Sequence, residues 1–160
     1  SAYEKKNKNF YAEPRRIVYF RGGLYVIIYI RRFEKFRLLA IQRIKHFEVL
    51  EEVHPEEPRF DPALFWKNKF GLFSADSCHV KIEFSTSARM HIEGRHWHPS
   101  QSFSEGKKGS LILEMDVGLS PELTSWIFSW NEYAKVLEPP ELIEKISKKI
   151  DKLRKIYPTT

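Results

Sequence analysis

The chain has 160 residues, of which 42% are hydrophobic and 30% charged, and this composition excludes a disordered chain. Its net charge of +6 is unevenly spread: residues 1–47 contain twelve Lys or Arg and three Glu, a net charge of +9, whereas the remainder carries 15 basic and 18 acidic residues. This asymmetry predicts a polyanionic partner for the N-terminal region, although the same arginines could simply keep a β-rich domain soluble.

Neither a membrane span nor a leader is predicted. The longest apolar run, Leu24 to Ile30, is far shorter than the roughly 20 residues that a membrane helix needs. The polar start SAYEKKNKNF lacks the apolar segment of a signal peptide. A single cysteine, Cys78, excludes an internal disulfide, so we expect a cytoplasmic protein in which this thiol is buried and unreactive.

Residues 1–54 are predicted to be β-structure. RRIVYF (15–20) and LYVIIYIRR (24–32) are rich in β-branched and aromatic residues, and Arg21-Gly22-Gly23 between them predicts a hairpin turn. The tripeptide FEK predicts a second turn, and FRLLAIQRI (36–44) a third strand. Antiparallel neighbours of this kind suit a small barrel or a curled sheet.

Residues 55–75 are predicted to be a linker, because Pro55, Pro58 and Pro62 interrupt any regular ladder. Asp61 and Pro62 suit the N-cap and first position of a short helix over residues 63–69, and Gly71 would end it.

Residues 76–160 have a different pattern, in which strands alternate with helices. The predicted order is strand (79–85), helix (86–95), strand (101–104), strand (110–117), helix (opened by Ser120-Pro121), strand (133–139) and a charged terminal helix with an apolar stripe of Leu142, Ile146, Ile150 and Leu153. The order β-α-β-β-α-β is that of a ferredoxin-like domain. The fold class predicted for the whole chain is therefore α+β, with a small barrel followed by a ferredoxin-like domain.

The strongest candidate site lies on the second and third strands. Alternation places Tyr25, Tyr29 and Arg31 on one face of their strand, and Arg37 and Arg43 on one face of the next. If these two faces coincide, two tyrosines for base stacking and three arginines for phosphates converge. The alternative is structural: Tyr25 packs in the interior and Arg43 pairs with an acid such as Glu48.

The motif RHWHPSQ (95–101) suggests three alternatives. His96 and His98 have a spacing that could hold a metal on a strand, and Ser100 could pair with a histidine in a hydrolase. No cysteine or carboxylate set completes the first, and no nucleophile-elbow motif supports the second. The preferred interpretation is a helix-to-strand corner anchored by Trp97, with Arg95 and His96 as candidates for a contact to another domain or subunit.

The stretch EPRRIVYFRGGLYVIIY resembles the core of the WYL domain, with Pro14 upstream and Leu24-Tyr25-Val26 in place of the Trp-Tyr-Leu triplet. RLLAIQRI (37–44) is similar to the arginine-bearing strand that follows in that family. FWKNKFGLF, RHWHPSQ and KVLEPPEL occur in the order in which the extension C-terminal to WYL domains, WCX, has similar segments. Leu24 replaces the family's tryptophan, and we expect it to point inward with Val26 and Ile28.

The resemblance implies a bacterial transcription regulator whose helix-turn-helix, which would bind promoter DNA, is not in this chain, and whose first WYL strands are missing or hidden in the N-terminal stretch. It implies an SH3- or Sm-like barrel that senses a nucleic-acid or nucleotide-like effector, and it strengthens the assignment of Tyr25, Arg37 and Arg43. It also implies a homodimer, without a cofactor or metal.

Three classes of function remain open from the sequence. The first is a non-enzymatic effector sensor that binds a single-stranded nucleic acid or a nucleotide. The second is a structural dimerisation module without a ligand, which the loss of tryptophan at position 24 favours. The third is an enzyme, for which no coherent catalytic set is present.

Overall fold

The computed structural model describes residues 9–52, 58–67, 69–71 and 76–158. The chain divides into two compact units, Ser1–Phe65 and Trp66–Thr160. Within the described residues, seven strands form two antiparallel sheets and four α-helices accompany them, which confirms the predicted α+β class. The predicted linker falls partly outside the described residues, Pro55 included, so its bounds stay a prediction.

The N-terminal unit contains a three-stranded sheet of order β1-β2-β3. The strands are β1 (Glu13–Phe20), β2 (Gly23–Ile30) and β3 (Lys35–Ala40). Arg21 and Gly22 have φ of 46° and 81°, so the hairpin turn consists of these two residues in the left-handed conformation that matches strand twist. Gly23 therefore opens β2, whereas the sequence placed it in the turn.

The third strand is shorter than predicted. It ends at Ala40, and Ile41–Arg43 form a 3-10 turn in which the Ile44 N–H donates to the Ile41 carbonyl oxygen at 3.0 Å. The predicted strand over residues 36–44 is wrong in its last four residues. The mixture of apolar and basic residues from 36 to 44 does not reveal this turn, because Ile41 and Ile44 can occur either in a strand or in a 3-10 turn.

A short helix, α1 (Pro62–Trp66), follows. The Asp61 carboxylate accepts the Ala63 N–H at 2.8 Å and the Leu64 N–H at 3.2 Å, which is the predicted N-cap. The helix ends at Trp66 rather than at residue 69.

The C-terminal unit contains a four-stranded antiparallel sheet of order β5-β6-β4-β7. Its elements are β4 (Ser77–Phe84), α2 (Thr86–Glu93), β5 (Ser102–Glu105), β6 (Leu111–Gly118), α3 (Pro121–Phe128), β7 (Ala134–Glu138) and α4 (Pro140–Ile156). The predicted order of strands and helices is observed. Ser120 caps α3, since its Oγ accepts the Leu123 N–H at 3.1 Å.

A single apolar cluster forms the core of this unit. Alternate residues of β4 and β6, among them Val80, Ile82 and Leu113, are fully buried. Trp126 of α3 and Leu142 of α4 pack into the same cluster. The core thus lies between one face of the sheet and the helices.

Candidate functional site

Tyr25 and Tyr29 lie on the same face of the N-terminal sheet, as predicted. Tyr25 is paired with Val18 and Ala40, and Tyr29 is paired with Phe36 of β3. Residues that are directly paired across antiparallel strands project to the same side. We call this side of the sheet the tyrosine face.

Arg37 lies on the opposite face. The register pairs it with Ile28, which alternates with Tyr29, so the condition for convergence is not met. A shift of one residue in the register would have put Arg37 beside the tyrosines. The strand sequences do not define that register, because β3 has apolar residues, Leu38 and Leu39, for both faces.

Arg43 and Arg31 are not on strands. Arg43 is exposed in the 3-10 turn after β3, and Arg31 opens the 3-10 turn Arg31–Phe33 after β2. The structure therefore does not assemble the five predicted residues into one pocket: the two tyrosines share a face, and the three arginines occupy three separate positions.

Arg31 belongs to an ion-pair cluster with Glu13. The Arg15 guanidinium donates to Glu13 Oε2 at 2.5 Å, and Arg31 Nε contacts Oε1 of the same carboxylate. Although partial burial opposes the shift, the hydrogen bonds from Arg15 and Arg31 lower the pKa of Glu13 below its ordinary value. Arg15 is the extra residue of a bulge in β1, which aims it at this carboxylate.

The tyrosine face is packed. Tyr29 contacts Phe36 with ring centroids 5.0 Å apart, Phe36 contacts Phe60 at 5.1 Å, and Phe60 contacts Phe65 at 5.5 Å. The guanidinium carbon of Arg16 lies 5.7 Å from the Phe60 ring centre. This chain of rings covers the end of the face where Tyr29 lies.

Tyr25 is held against the backbone of its own strand. A Cβ atom added to Gly23 would lie 2.9 Å from Cε2 of the Tyr25 ring, so the ring occupies the space that a side chain at position 23 would need. The structural alternative for Tyr25, packing, thus agrees with its contacts.

The opposite face carries exposed apolar and aromatic residues at its hairpin end, whereas Ile28 and Ile30, further along β2 on the same face, are buried. Ile17, Tyr19 and Leu24 are 67%, 71% and 49% exposed, and pairing places Tyr19 beside Leu24 and Ile17 beside Val26. Arg37 shares this side through its pairing with Ile28. We call Ile17, Tyr19, Leu24 and Arg37 the open face. The expectation that Leu24 points into a core is wrong, since nearly half of it is exposed near the hairpin end.

Tyr19 is not among the site residues predicted from the sequence. The signal that could have found it is alternation in β1, because Ile17 and Tyr19 are two residues apart and flank Val18. The sequence of β1 does not indicate which of its sides is covered. The covered side is determined by Phe60, which is distant from β1 in the chain.

The motif RHWHPSQ forms the corner between α2 and β5. The Trp97 ring lies 5.0 Å from that of Trp126, and its Nε1–H donates to the Ile92 carbonyl oxygen at 3.0 Å. Gln101 Oε1 accepts the N–H groups of Trp97 and His98, and its amide nitrogen donates to the Arg95 carbonyl oxygen at 3.0 Å. One glutamine side chain therefore satisfies three backbone groups of the turn.

His98 is 3% exposed, and its role is structural. Its Nδ1 accepts the Ser100 N–H at 3.2 Å and lies 2.7 Å from Ser100 Oγ, which in turn accepts the Asp116 N–H at 2.9 Å. Burial is the main cause that lowers the pKa of His98. Among the described residues no carboxylate bonds Nε2 of His98, as a catalytic triad would require, and no group of three metal-binding side chains occurs.

Comparison with known proteins identifies the second half of the chain. Residues 76–154 match the family model of the WCX domain. The matched part of the chain, residues 76–154, is called the WCX domain below. The resemblance inferred from RHWHPSQ and KVLEPPEL is thereby confirmed for this part of the chain. No curated protein sequence matches the chain.

Among solved structures, the chain is similar to proteasome accessory factor B/C (PafBC) of Arthrobacter aurescens, with 18% identity and a TM-score of 0.43. The match covers 92% of this chain and 22% of that one, so the chain spans about a fifth of the length of PafBC. No helix within the described residues is long and apolar enough to cross a membrane.

The WCX domain exposes the two residues that the sequence singled out for contacts. Arg95 and His96 are both exposed, and the Arg95 guanidinium carbon lies 5.7 Å from the Trp97 ring centre. Trp97 is itself part of an aromatic cluster of the C-terminal unit, and its other members are Phe70, Phe84, Trp126 and Trp130. Arg95 therefore sits on the rim of the domain core.

A second basic surface of the WCX domain lies between α3 and α4. A groove of about 340 Å³ is lined by Leu119, Ser120, Pro121, Thr124, Lys145, Lys148, Lys149 and Lys152. Lys145 and Lys148 pair with Glu141 and Glu144 one turn away, at 2.8 and 2.5 Å. The floor of this groove is apolar, and its wall is formed by lysines.

Proposed function

We propose that this chain is the ligand-sensing and dimerisation region of a bacterial WYL-family transcription regulator. The observation that carries the proposal is the WCX domain at residues 76–154, preceded by a basic antiparallel sheet in the order that the family resemblance requires. The function is binding rather than catalysis. Its setting would be the cytoplasm, and promoter DNA would be bound by a helix-turn-helix elsewhere in the regulator.

The proposal includes a specific fold for each of the two units. The strand order β5-β6-β4-β7 and the order of helices support a ferredoxin-like arrangement for the WCX domain. The three strands of the N-terminal unit would be the C-terminal part of a WYL barrel of the SH3 or Sm type. The proposal also includes a homodimer, in which Arg95 and His96 lie at a contact between domains or subunits.

The proposed effector is single-stranded nucleic acid or a nucleotide. Arg37 and Arg43 are exposed, and within the described part of the chain neither makes an ion pair, so their guanidinium groups can bind phosphate. Tyr19 on the open face supplies an exposed ring on which a base can stack. Tyr25, Tyr29 and Arg31, by contrast, would support the site from within the unit.

The spacing on the open face suits a short strand rather than a mononucleotide. Tyr19 is level with Leu24 and Arg37 with Ile28, so they are separated by about 13 Å along β2. That distance corresponds to roughly two nucleotides of an extended single strand. We therefore place the backbone of the effector across the open face, from the hairpin toward Arg37.

Fluorescence polarisation with a labelled oligothymidine of about twelve nucleotides tests this site. Arg37→Gln and Arg43→Gln should each weaken binding about three- to tenfold and reduce the dependence of affinity on salt by about one phosphate contact. Tyr19→Ala should weaken binding without changing the salt dependence. Lys107→Gln, an equal loss of charge in the WCX domain, is the matched control and should have no effect.

Unchanged affinity in both arginine variants, with the fold intact by circular dichroism, would remove the open face from the proposal. Loss of binding in Tyr25→Phe and Tyr29→Phe but not in Tyr19→Ala would return the site to the tyrosine face.

A second candidate is a dimerisation module without a ligand. The packing of Tyr29 against Phe36 and of Tyr25 over Gly23 favours it, because these two tyrosines, predicted from the sequence to bind a ligand, pack against residues of their own unit. No binding to a panel of nucleotides and oligonucleotides, together with a stable dimer in sedimentation, would support this alternative.

A further inference from the structure

Helix α4 carries an apolar stripe that continues beyond the core. Its members are spaced alternately three and four residues apart: Ile143, Ile146, Ile150 and Leu153 in the helix, and Tyr157, the residue that follows its last turn. This is the spacing of the a and d positions of a coiled-coil helix. The stripe spans about 21 Å, or four helical turns.

Of this stripe only Ile146 is covered by the domain, together with the adjacent Leu142, since Ile143 at its start is 41% exposed. Leu142 is fully buried and Ile146 is packed against the core, but Ile150, Leu153 and Tyr157 are 38%, 45% and 76% exposed. The helix has 17 residues, a length of about 25 Å, whereas β7, with which it packs, has five. The last two turns of α4 therefore present an apolar face that no described residue covers.

The flanks of the exposed stripe are basic. At about 100° per residue, Lys149 lies directly beside Ile150 and Leu153 on one side and Arg154 on the other, and Lys152 lies further round the helix on the Lys149 side. Glu144 lies on the back of the helix, and Asp151 lies further round on the Arg154 side, with its Oδ1 3.9 Å from Nη1 of Arg154. The charge beside the stripe is therefore positive on both sides.

The groove between α3 and α4 extends the basic flank. Lys145, Lys149 and Lys152 line it, and Leu119 and Pro121 give it an apolar floor. A partner that lies along the stripe would meet these lysine side chains next to further apolar surface. Apolar and basic surfaces thus run side by side along most of α4.

A second copy of α4 does not fit this surface. With Ile150 at an a position and Leu153 at a d position, Lys149 is at g and Arg154 at e. A parallel pair would bring Lys149 beside Arg154, and an antiparallel pair would bring each residue beside its own equivalent. All these contacts place like charges together.

Nucleic acid does not fit it well either. The surface has one exposed ring, Tyr157 at its end, and one guanidinium, Arg154, which already contacts Asp151. Ile150 and Leu153 offer no ring on which a base can stack, and lysine lacks the planar fork that binds phosphate in two places. An aliphatic stripe between cationic flanks is complementary to a helix with leucines on one side and carboxylates beside them.

We propose that the C-terminal half of α4 is a docking site for an acidic amphipathic helix of another protein. The leucine-type side chains of that helix would pack between Ile150, Leu153 and Tyr157, and its carboxylates would pair with Lys149, Lys152 and Arg154. The surface belongs to the C-terminal unit and the open face to the N-terminal unit, and this docking does not depend on an effector.

Two synthetic helical peptides, used with the full 160-residue chain, test the proposal. Both have leucine at a and d; one has glutamate at e and g, and the other has lysine there. The glutamate peptide should bind at least about tenfold more tightly than the lysine peptide, and salt should reduce the difference. The charge-reversed variant Lys149→Glu/Arg154→Glu should invert this preference, an outcome that a misfolded chain cannot produce.

Two further variants separate the contributions. Ile150→Ser/Leu153→Ser, which changes two partly exposed positions outside the core cluster, should weaken binding of the glutamate peptide at least about tenfold while the circular dichroism spectrum remains that of the folded chain. Lys135→Glu/Lys155→Glu, with the same change in net charge but away from the stripe, is the control and should retain the preference.

The proposal is overturned by any of three results. Equal affinity for both peptides would exclude charge recognition. A dimer in sedimentation that Ile150→Ser/Leu153→Ser abolishes would assign the stripe to a second copy. Oligonucleotide binding that Lys149→Glu/Arg154→Glu abolishes would assign the surface to nucleic acid.

Discussion

At the scale of single residues, the corner RHWHPSQ shows how a motif that suggests chemistry can serve packing. Trp97 fills the space beside Trp126, and the Gln101 side chain holds three backbone groups of the turn. Burying an unpaired backbone group is costly, so a side chain with one acceptor oxygen and two donors is well suited to this corner. Sequence reasoning favoured this structural reading because no further ligand or base accompanies the two histidines.

Removing the Trp97 ring should destabilise the WCX domain strongly. Trp97→Ala deletes contacts with Trp126 and Trp130 and the hydrogen bond to the Ile92 carbonyl, so we expect a loss of about 3 kcal/mol in the free energy of unfolding. Denaturant unfolding followed by circular dichroism measures it. His96→Ala, at the exposed neighbouring position, should change the free energy by less than about 0.5 kcal/mol. Similar effects of both substitutions would show that the corner is not an anchor.

His98 should make the stability of this domain depend on pH. Burial lowers its pKa in the folded chain. Protonation of Nδ1 would also place a second N–H donor opposite the Ser100 N–H and so remove that hydrogen bond. The unfolded state therefore binds the proton more readily, so this contribution to stability is full above the unfolded-state pKa of about 6.5 and declines as pH falls below it.

The measurement is the free energy of unfolding between about pH 7.5 and pH 5, for the chain and for His98→Gln. The slope should be smaller in the variant, and the difference between the two slopes should approach but not exceed about 1.4 kcal/mol per pH unit, the limit for one titrating group. The lowered pKa values of Glu13, Glu105 and Glu114 act at lower pH. Equal slopes in the two proteins would contradict the assignment.

At the scale of elements, the sequence predicted most strands and helices but not the register between strands. Alternation placed Tyr25 and Tyr29 on one face, and Asp61 and Ser120 identified helix starts. Whether Arg37 shares that face depends on a one-residue choice in pairing, and β3 has apolar residues for either choice. The site prediction rested on that choice, and for this reason the elements could be predicted while the assembly of the site could not.

The start of α3 illustrates an element that the sequence does specify. Ser120 is 2% exposed; its Oγ accepts the Leu123 N–H and donates to the Phe70 carbonyl oxygen at 3.2 Å. Ser120→Ala leaves both groups unpaired in the interior, so unfolding should become easier by about 1–2 kcal/mol. The comparison is Ser125→Ala, an exposed serine of the same helix, which should be nearly neutral in thermal unfolding. A neutral Ser120→Ala would mean that water replaces the cap.

At the scale of the whole molecule, the division into two units parallels the division of charge. Residues 1–47 carry a net charge of +9, and the rest of the chain is slightly acidic, yet α4 is a basic helix within it. The net charge of the residues after position 47 therefore does not reveal the second basic surface, which is seen only when the residues of α4 are placed around the helix axis. A polyanionic effector and an acidic helix would thus be attracted to different units of one chain.

The core cluster of the C-terminal unit lies entirely within residues 70–142, so a fragment of residues 66–160 should fold alone. Its length is sufficient for one hydrophobic core, and none of the cluster residues would be removed. We expect cooperative urea unfolding of the fragment with retained near-ultraviolet circular dichroism from its tryptophans. Leu113→Ala, at a fully buried position of β6, should lower the free energy of unfolding by about 3 kcal/mol in the fragment and equally in the full chain. A fragment with secondary structure but without a cooperative transition would show that residues 1–65 are needed to complete the core.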